Sequence, residues 1–87
     1  LKEPMMYKVI YINDEITSME FVVESLQKVF GHTFEEATIL TETIHAQGSG
    51  VAGIFPYEMA EQKGVEVTQM ARNAGFPLQI KLEPVDD

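Results

Sequence analysis

The chain contains no cysteine. That excludes disulfides, zinc–thiolate sites and cysteine nucleophiles, and it suits a reducing cytoplasm. Positive charge is scarce: six Lys and Arg stand against fourteen Asp and Glu, for a net charge of −8. Nucleic acid and anionic membranes are poor partners for such a surface, and a cationic ligand or basic protein patch suits it better. Apolar runs are only a few residues long, which excludes a helical membrane span. Leu1-Lys2-Glu3-Pro4 offers no apolar core for a secretion signal, so none is expected. There is no internal repeat and no low-complexity tract. What remains is an 87-residue chain with 45% apolar and 23% charged residues, the balance of one soluble globular domain. At this length somewhat over ~60% of the unfolded surface can be buried, enough for a single modest core.

Residues 1–6 read as a short flexible tail and 7–87 as the domain. Tyr7 to Ile12 is β-branched and aromatic, which predicts a strand. Thr17-Ser18-Met19-Glu20 has capping-box spacing, with Thr17 as N-cap, and apolar residues follow at helical spacing until Gly31. Thr33-Phe34-Glu35-Glu36 is a second capping box, opening a helix that Gly48 ends. Val51 to Phe55 is a short strand interrupted at Gly53. Pro56 suits the first turn of a third helix, with Met59, Lys63, Val67, Met70 and Ala74 on one stripe. Leu78, Ile80 and Leu82 alternate with polar residues in a last, half-solvated strand. The order β-α-α-β-α-β predicts an α+β sandwich, three helices on a small three-stranded antiparallel sheet.

Catalytic chemistry finds little support. His32 and His45 are too far apart for a helical ligand pair, and no metal-ligand spacing is present. His32 reads as a loop residue near a helix end. Ser18, Ser25 and Ser49 lack a nucleophile elbow. Gly48-Ser49-Gly50 does not follow a strand and open a helix, as a phosphate loop would. No enzyme activity, metal or cofactor is expected. Taken alone, Asn13-Asp14-Glu15 is a polar turn and His45 a cation near a helix C-terminus.

Together, however, these pieces resemble a family. Asn13-Asp14-Glu15-Ile16-Thr17-Ser18-Met19-Glu20-Phe21-Val22, Ile44-His45-Ala46-Gln47-Gly48, Gly53-Ile54-Phe55 and Pro77-Leu78 occur in order, at spacings similar to those of ClpS, the small adaptor of the bacterial N-end rule pathway. The resemblance runs from about Tyr7 to Glu83. It implies an adaptor, not an enzyme, that binds N-terminal Phe, Tyr, Trp or Leu of substrate proteins. It implies delivery to the N-terminal domain of a ClpA- or ClpC-type AAA+ unfoldase for degradation by ClpP. The matching contacts for the substrate α-amino group are Asn13, Asp14 and His45. The matching pocket positions are Thr17, Met19, Val22, Thr41, Ile44 and Leu78. Glu58 and Lys63 match the unfoldase-docking surface. An α-ammonium has three donors and no acceptor, so converging acceptors and negative charge suit it.

Thr41 stands where the family usually has Met, a residue that limits pocket size. Glu15 and Ser18 replace the usual Asp and Pro. The resemblance also implies a long N-terminal extension used in delivery; six residues precede the first strand here. It places the protein in the cytoplasm, or in the plastid stroma of a eukaryote. A ribosomal stalk-type interaction domain is the alternative of similar element order. It would need a basic helix face where this chain has Glu35-Glu36. A small His/carboxylate metal hydrolase is a further, enzymatic rival.

Overall fold

A computed structural model describes residues 4–85. Residues 1–3 of the expected tail lie outside the described residues. The elements are β1 (Met6–Ile12), α1 (Met19–Phe30), α2 (Phe34–Gln47), β2 (Ser49–Pro56), α3 (Tyr57–Asn73) and β3 (Gln79–Pro84). The strands form one antiparallel sheet in the order β2-β1-β3. The predicted α+β order is therefore the observed one. Helix α3 packs against all three strands, and α1 bridges α2 and α3.

The first strand starts at Met6, one residue before the expected boundary, because Met6 pairs with Pro56 of β2. β2 is longer than expected, and its register against β1 slips at one point. Val9 faces Gly53 while Ile10 faces Val51, so Ala52 bulges out of the ladder. The Ala52 carbonyl then accepts a 2.7 Å hydrogen bond from His32 Nε2. A carbonyl can only accept, so Nε2 carries the proton in this tautomer. His32 is thus the clamp on a bulge as well as a loop residue.

The cap of α2 forms as predicted. Glu36 N donates to Thr33 Oγ1 at 3.1 Å, and Thr33 N donates to Glu36 Oε1 at 2.8 Å. The cap of α1 does not. Ser18, not Thr17, is the N-cap, its hydroxyl accepting from Phe21 N at 3.1 Å. Thr17 is drawn back by Asp14, which holds both its amide and its hydroxyl. Both helices end on a left-handed glycine, Gly31 at φ 73° and Gly48 at φ 92°, a conformation that disfavours any Cβ.

The stripe expected on α3 also shifts. Its buried residues are Ala60, Gly64, Val67 and Ala71, while Met59 is exposed and Lys63 is half-buried. Small residues let the helix lie close on the sheet; a Cβ at Gly64 would already touch Ile80 at 3.4 Å. A search for bulky apolar positions therefore misses this face.

Between the sheet and α1, Tyr11 and Ser25 are fully buried and paired at 2.7 Å. Ser25 donates its one hydroxyl proton to Val22 O at 2.9 Å, so Tyr11 must donate to Ser25. Burial pushes the Tyr11 phenol far up, with the Ser25 bond opposing only in part, so it stays a donor at any working pH. The relay fixes the turn of α1 that carries Val22, the residue the next site needs.

Candidate functional site

The loop from β1 to α1 is shaped by one carboxylate. Asp14 Oδ1 accepts from Ile16 N at 2.8 Å and Thr17 N at 2.7 Å, and Oδ2 accepts from the Thr17 hydroxyl at 2.8 Å. Desolvation raises the Asp14 carboxyl, but these three bonds and the charge of Arg72 together outweigh it. The group is held below the usual carboxylate range. Its contribution to stability is therefore present above that range and lost only as pH falls through the lowered value. A carboxylate accepts about four hydrogen bonds, so an acceptor position remains for a ligand.

A second bond closes the site. Asn13 N donates to Gly48 O at 2.9 Å, tying the loop to the end of α2. His45 sits in the last turn of that helix. Asn13, Asp14 and His45 thereby come to line one cavity of about 290 Å³, at the lower end of ligand-pocket sizes. Among the described residues, neither the Asn13 side chain nor the His45 ring has a hydrogen-bond partner, so both are uncommitted.

The same cavity is lined by Thr17, Met19, Val22, Thr41 and Ile44. Eight of the nine substrate-site positions singled out in the sequence therefore meet around one space. The ninth, Leu78, does not line it. Leu78 is 1% exposed and belongs to the hydrophobic core with Val22 and Ile44. It precedes β3, and its carbonyl accepts from Arg72 Nη1 at 2.9 Å. Its alternation with Ile80 and Leu82 is the ordinary signal of a core position, and spacing alone cannot separate that from a cavity wall. Thr41 is 4% exposed, and its hydroxyl donates to Ala37 O within α2 at 2.7 Å. That proton is not free for a ligand.

Gly50 is the residue that sequence reasoning missed. A Cβ there would lie 2.7 Å from Ile44 Cγ1 and 3.3 Å from Leu40 Cδ1. The bare backbone of β2 is what lets Ile44 stand where it does. The Gly48-Ser49-Gly50 run was a visible signal, but it reads as a failed phosphate loop rather than as room for a neighbour.

On α3, Glu58 is exposed in the first turn. Lys63 is differently placed. Its Nζ donates to Val29 O at 2.9 Å and lies 5.8 Å and 5.2 Å from the ring centroids of Phe30 and Phe55. The last turn of α1 and two aromatic faces hold this cation inside the fold. Among the described residues no three metal-ligating side chains converge, as the hydrolase reading would need.

Fold and cavity define a class: a small α+β domain with a pocket lined by exposed Asn13 and His45, half-buried Asp14, and buried Val22, Thr41 and Ile44. Comparison with known proteins names the family. The sequence model for "ATP-dependent Clp protease adaptor protein ClpS" matches residues 2–81. The chain is 45% identical over 87 residues to the ATP-dependent Clp protease adapter protein ClpS of Lawsonia intracellularis, covering all of this chain and 80% of that one. It is 47% identical over 83 residues to the ClpS of Helicobacter hepaticus, covering 95% and 84%. Its fold superposes with a TM-score of 0.92 on Agrobacterium tumefaciens ClpS2 bound to L-phenylalaninamide, at 36% identity over 95% of this chain and all of that one. The chain belongs to the ClpS family of Clp protease adaptors. The stalk-type alternative is not favoured.

Proposed function

We propose that this chain is a non-enzymatic adaptor that holds the first residue of a protein in the 290 Å³ cavity. The observation that carries the proposal is that Asn13, Asp14 and His45 line one cavity together with the buried Val22 and Ile44. An ammonium there meets an amide oxygen, a carboxylate and a neutral ring nitrogen, one acceptor for each of its donors. Each charge-assisted bond is worth ~1.5–3 kcal/mol, and burying a large apolar side chain adds about as much. After the costs of association these terms support micromolar or tighter binding. L-phenylalaninamide, the ligand of the Agrobacterium relative, has this chemistry: a free α-amine beside an aromatic side chain.

The second partner we propose is the N-terminal domain of a ClpA- or ClpC-like AAA+ unfoldase, which passes the bound protein to ClpP. Glu58 and Lys63 on α3 are its docking residues, with Glu58 the more available of the two. Among the described residues no helix is long and apolar enough to cross a membrane. The cytoplasm is the proposed compartment, or the plastid stroma in a eukaryote.

The decisive test is a calorimetric titration with peptides that differ only in residue one. Phe, Tyr, Trp and Leu should bind, and Gly, Ser and Asp should not. Uniform affinity across the set would overturn the reading.

The His45 ring is the third acceptor of the proposed site. His45→Ala should weaken binding of Phe-led peptides at least roughly tenfold, the scale of one lost hydrogen bond to a charged group, with the melting temperature close to that of the unaltered protein. Unchanged affinity would leave His45 outside the site.

Thr41 should set which side chains fit. It is shorter than Met, and its hydroxyl is engaged by Ala37. Thr41→Met adds bulk to this wall. Leu should then bind better relative to Trp, and Ile or Val should be rejected more strongly, by about 1 kcal/mol or roughly fivefold. An unchanged ranking of first residues would show that position 41 does not shape the hole.

A further inference from the structure

A larger groove, about 730 Å³, runs between the outer faces of α1 and α2. It adjoins the candidate site: Met19 and Thr41 line both spaces. Its apolar surface comes from Met19, Val23 and Phe34; Met19 is 47% exposed and Phe34 63%. A lone exposed apolar side chain is ordinary, but several along one groove mark a contact surface. The rim is acidic. Glu20, Glu24 and Glu42 line it, and its one cation, Lys28, is paired with Glu24 at 3.5 Å.

We propose that this groove receives the residues that immediately follow the first residue of the bound protein, and that it favours an apolar side chain flanked by a basic one. The inference rests on the N-terminal reading of the cavity and extends it. A chain whose first side chain is in the cavity can leave only along the surface. Past Met19 it advances ~3.3–3.6 Å per residue, so its next few side chains lie over the groove. The apolar floor takes one of them. The carboxylates at the rim, on a chain of net charge −8, attract a cationic neighbour and repel an acidic one. Specificity then has two parts: the identity of residue one, read in the cavity, and the character of residues three and four, read in the groove.

The test uses L-phenylalaninamide and three peptides that begin Phe-Gly and share one tail, differing at residues three and four as Leu-Lys, Ser-Ser or Glu-Glu. The Leu-Lys peptide should bind about tenfold more tightly than Ser-Ser, the scale of partly burying one apolar side chain. Glu-Glu should bind more weakly than Ser-Ser. In a Phe34→Ala, Glu24→Gln double variant the Leu-Lys advantage should vanish, while L-phenylalaninamide binds as before. Both positions are exposed and outside the cavity, and the melting temperature should confirm that the fold is kept. Equal affinity of the three peptides, with L-phenylalaninamide still bound, would overturn the groove and leave the N-terminal site standing. So would a Leu-Lys advantage that survives in the double variant. Failure of every ligand to bind would overturn both readings. A dimer in sedimentation that Phe34→Ala abolishes would give the groove to a second copy and overturn its role in peptide binding.

Discussion

Acetylating the amino group of a Phe-led peptide is expected to lower its affinity for this protein at least a hundredfold. The free amine brings one positive charge and three donors; the acetylated form brings no charge and one donor. The Asp14 carboxylate that lines the cavity is held below the usual carboxylate range, because the Thr17 and Ile16 bonds and the Arg72 charge outweigh its desolvation. Binding an acetylated peptide would cover that charge with a neutral amide and leave Asn13 or His45 without a donor. Two charge-assisted bonds at ~1.5–3 kcal/mol each amount to roughly two to four decades of affinity. The added acetyl group also needs room in a loop that Asp14 has already drawn tight. A titration of matched free and acetylated peptides measures the effect. Equal affinities would mean that the side chain alone is recognised.

Gly50→Val should both destabilise the protein and weaken binding. The first added carbon already falls 2.7 Å from Ile44 Cγ1, far inside van der Waals contact. Ile44 is 2% exposed, packs in the core with Val22, and borders the cavity, which gives it open space to move into. Overpacking of this kind costs ~1–3 kcal/mol, and in a domain of this size each kcal/mol is several degrees of melting temperature. The displaced Ile44 narrows the hole, so large first residues such as Trp should lose more affinity than Leu. A thermal melt together with the peptide series separates the two effects. Unchanged ligand ranking in a folded Gly50→Val protein would show that Ile44 moved elsewhere.

Local patterns were legible where a few neighbouring residues decide the outcome. The Thr33-Glu36 box, the glycine stops at Gly31 and Gly48 and the order of elements are of that kind. The α1 cap was misread because Thr17 and Ser18 both qualify by type. The choice between them falls to Asp14, three and four residues back, through bonds that no capping pattern includes. Spacing puts Lys63 on a stripe of α3, but only the fold shows its partner, Val29 O, 34 positions away in sequence. The inner stripe of α3 was hidden because small residues carry little hydrophobic signal. At the candidate site, composition and spacing alone gave only a polar turn and a histidine near a helix end. The family resemblance supplied the set of positions, and the fold gathers all but Leu78 of the substrate-site set around one cavity. Their roles as ligand contacts are what the peptide experiments address.

The bulge at Ala52 bears on how such a protein coexists with other polypeptides. Both β2 and β3 are edges of an open sheet, and an unpaired edge is a template on which another extended chain can add. A domain that binds the exposed ends of other proteins would meet extended chains constantly. β2 is poorly suited to capturing them. Its ladder is broken at Ala52, the bulged carbonyl is turned to His32, and Pro56 closes the strand without a donor. β3 is short, carries an outward Lys81, and also ends in proline. The irregularities that interrupt the strand signal at Gly53 thus act against edge-to-edge aggregation.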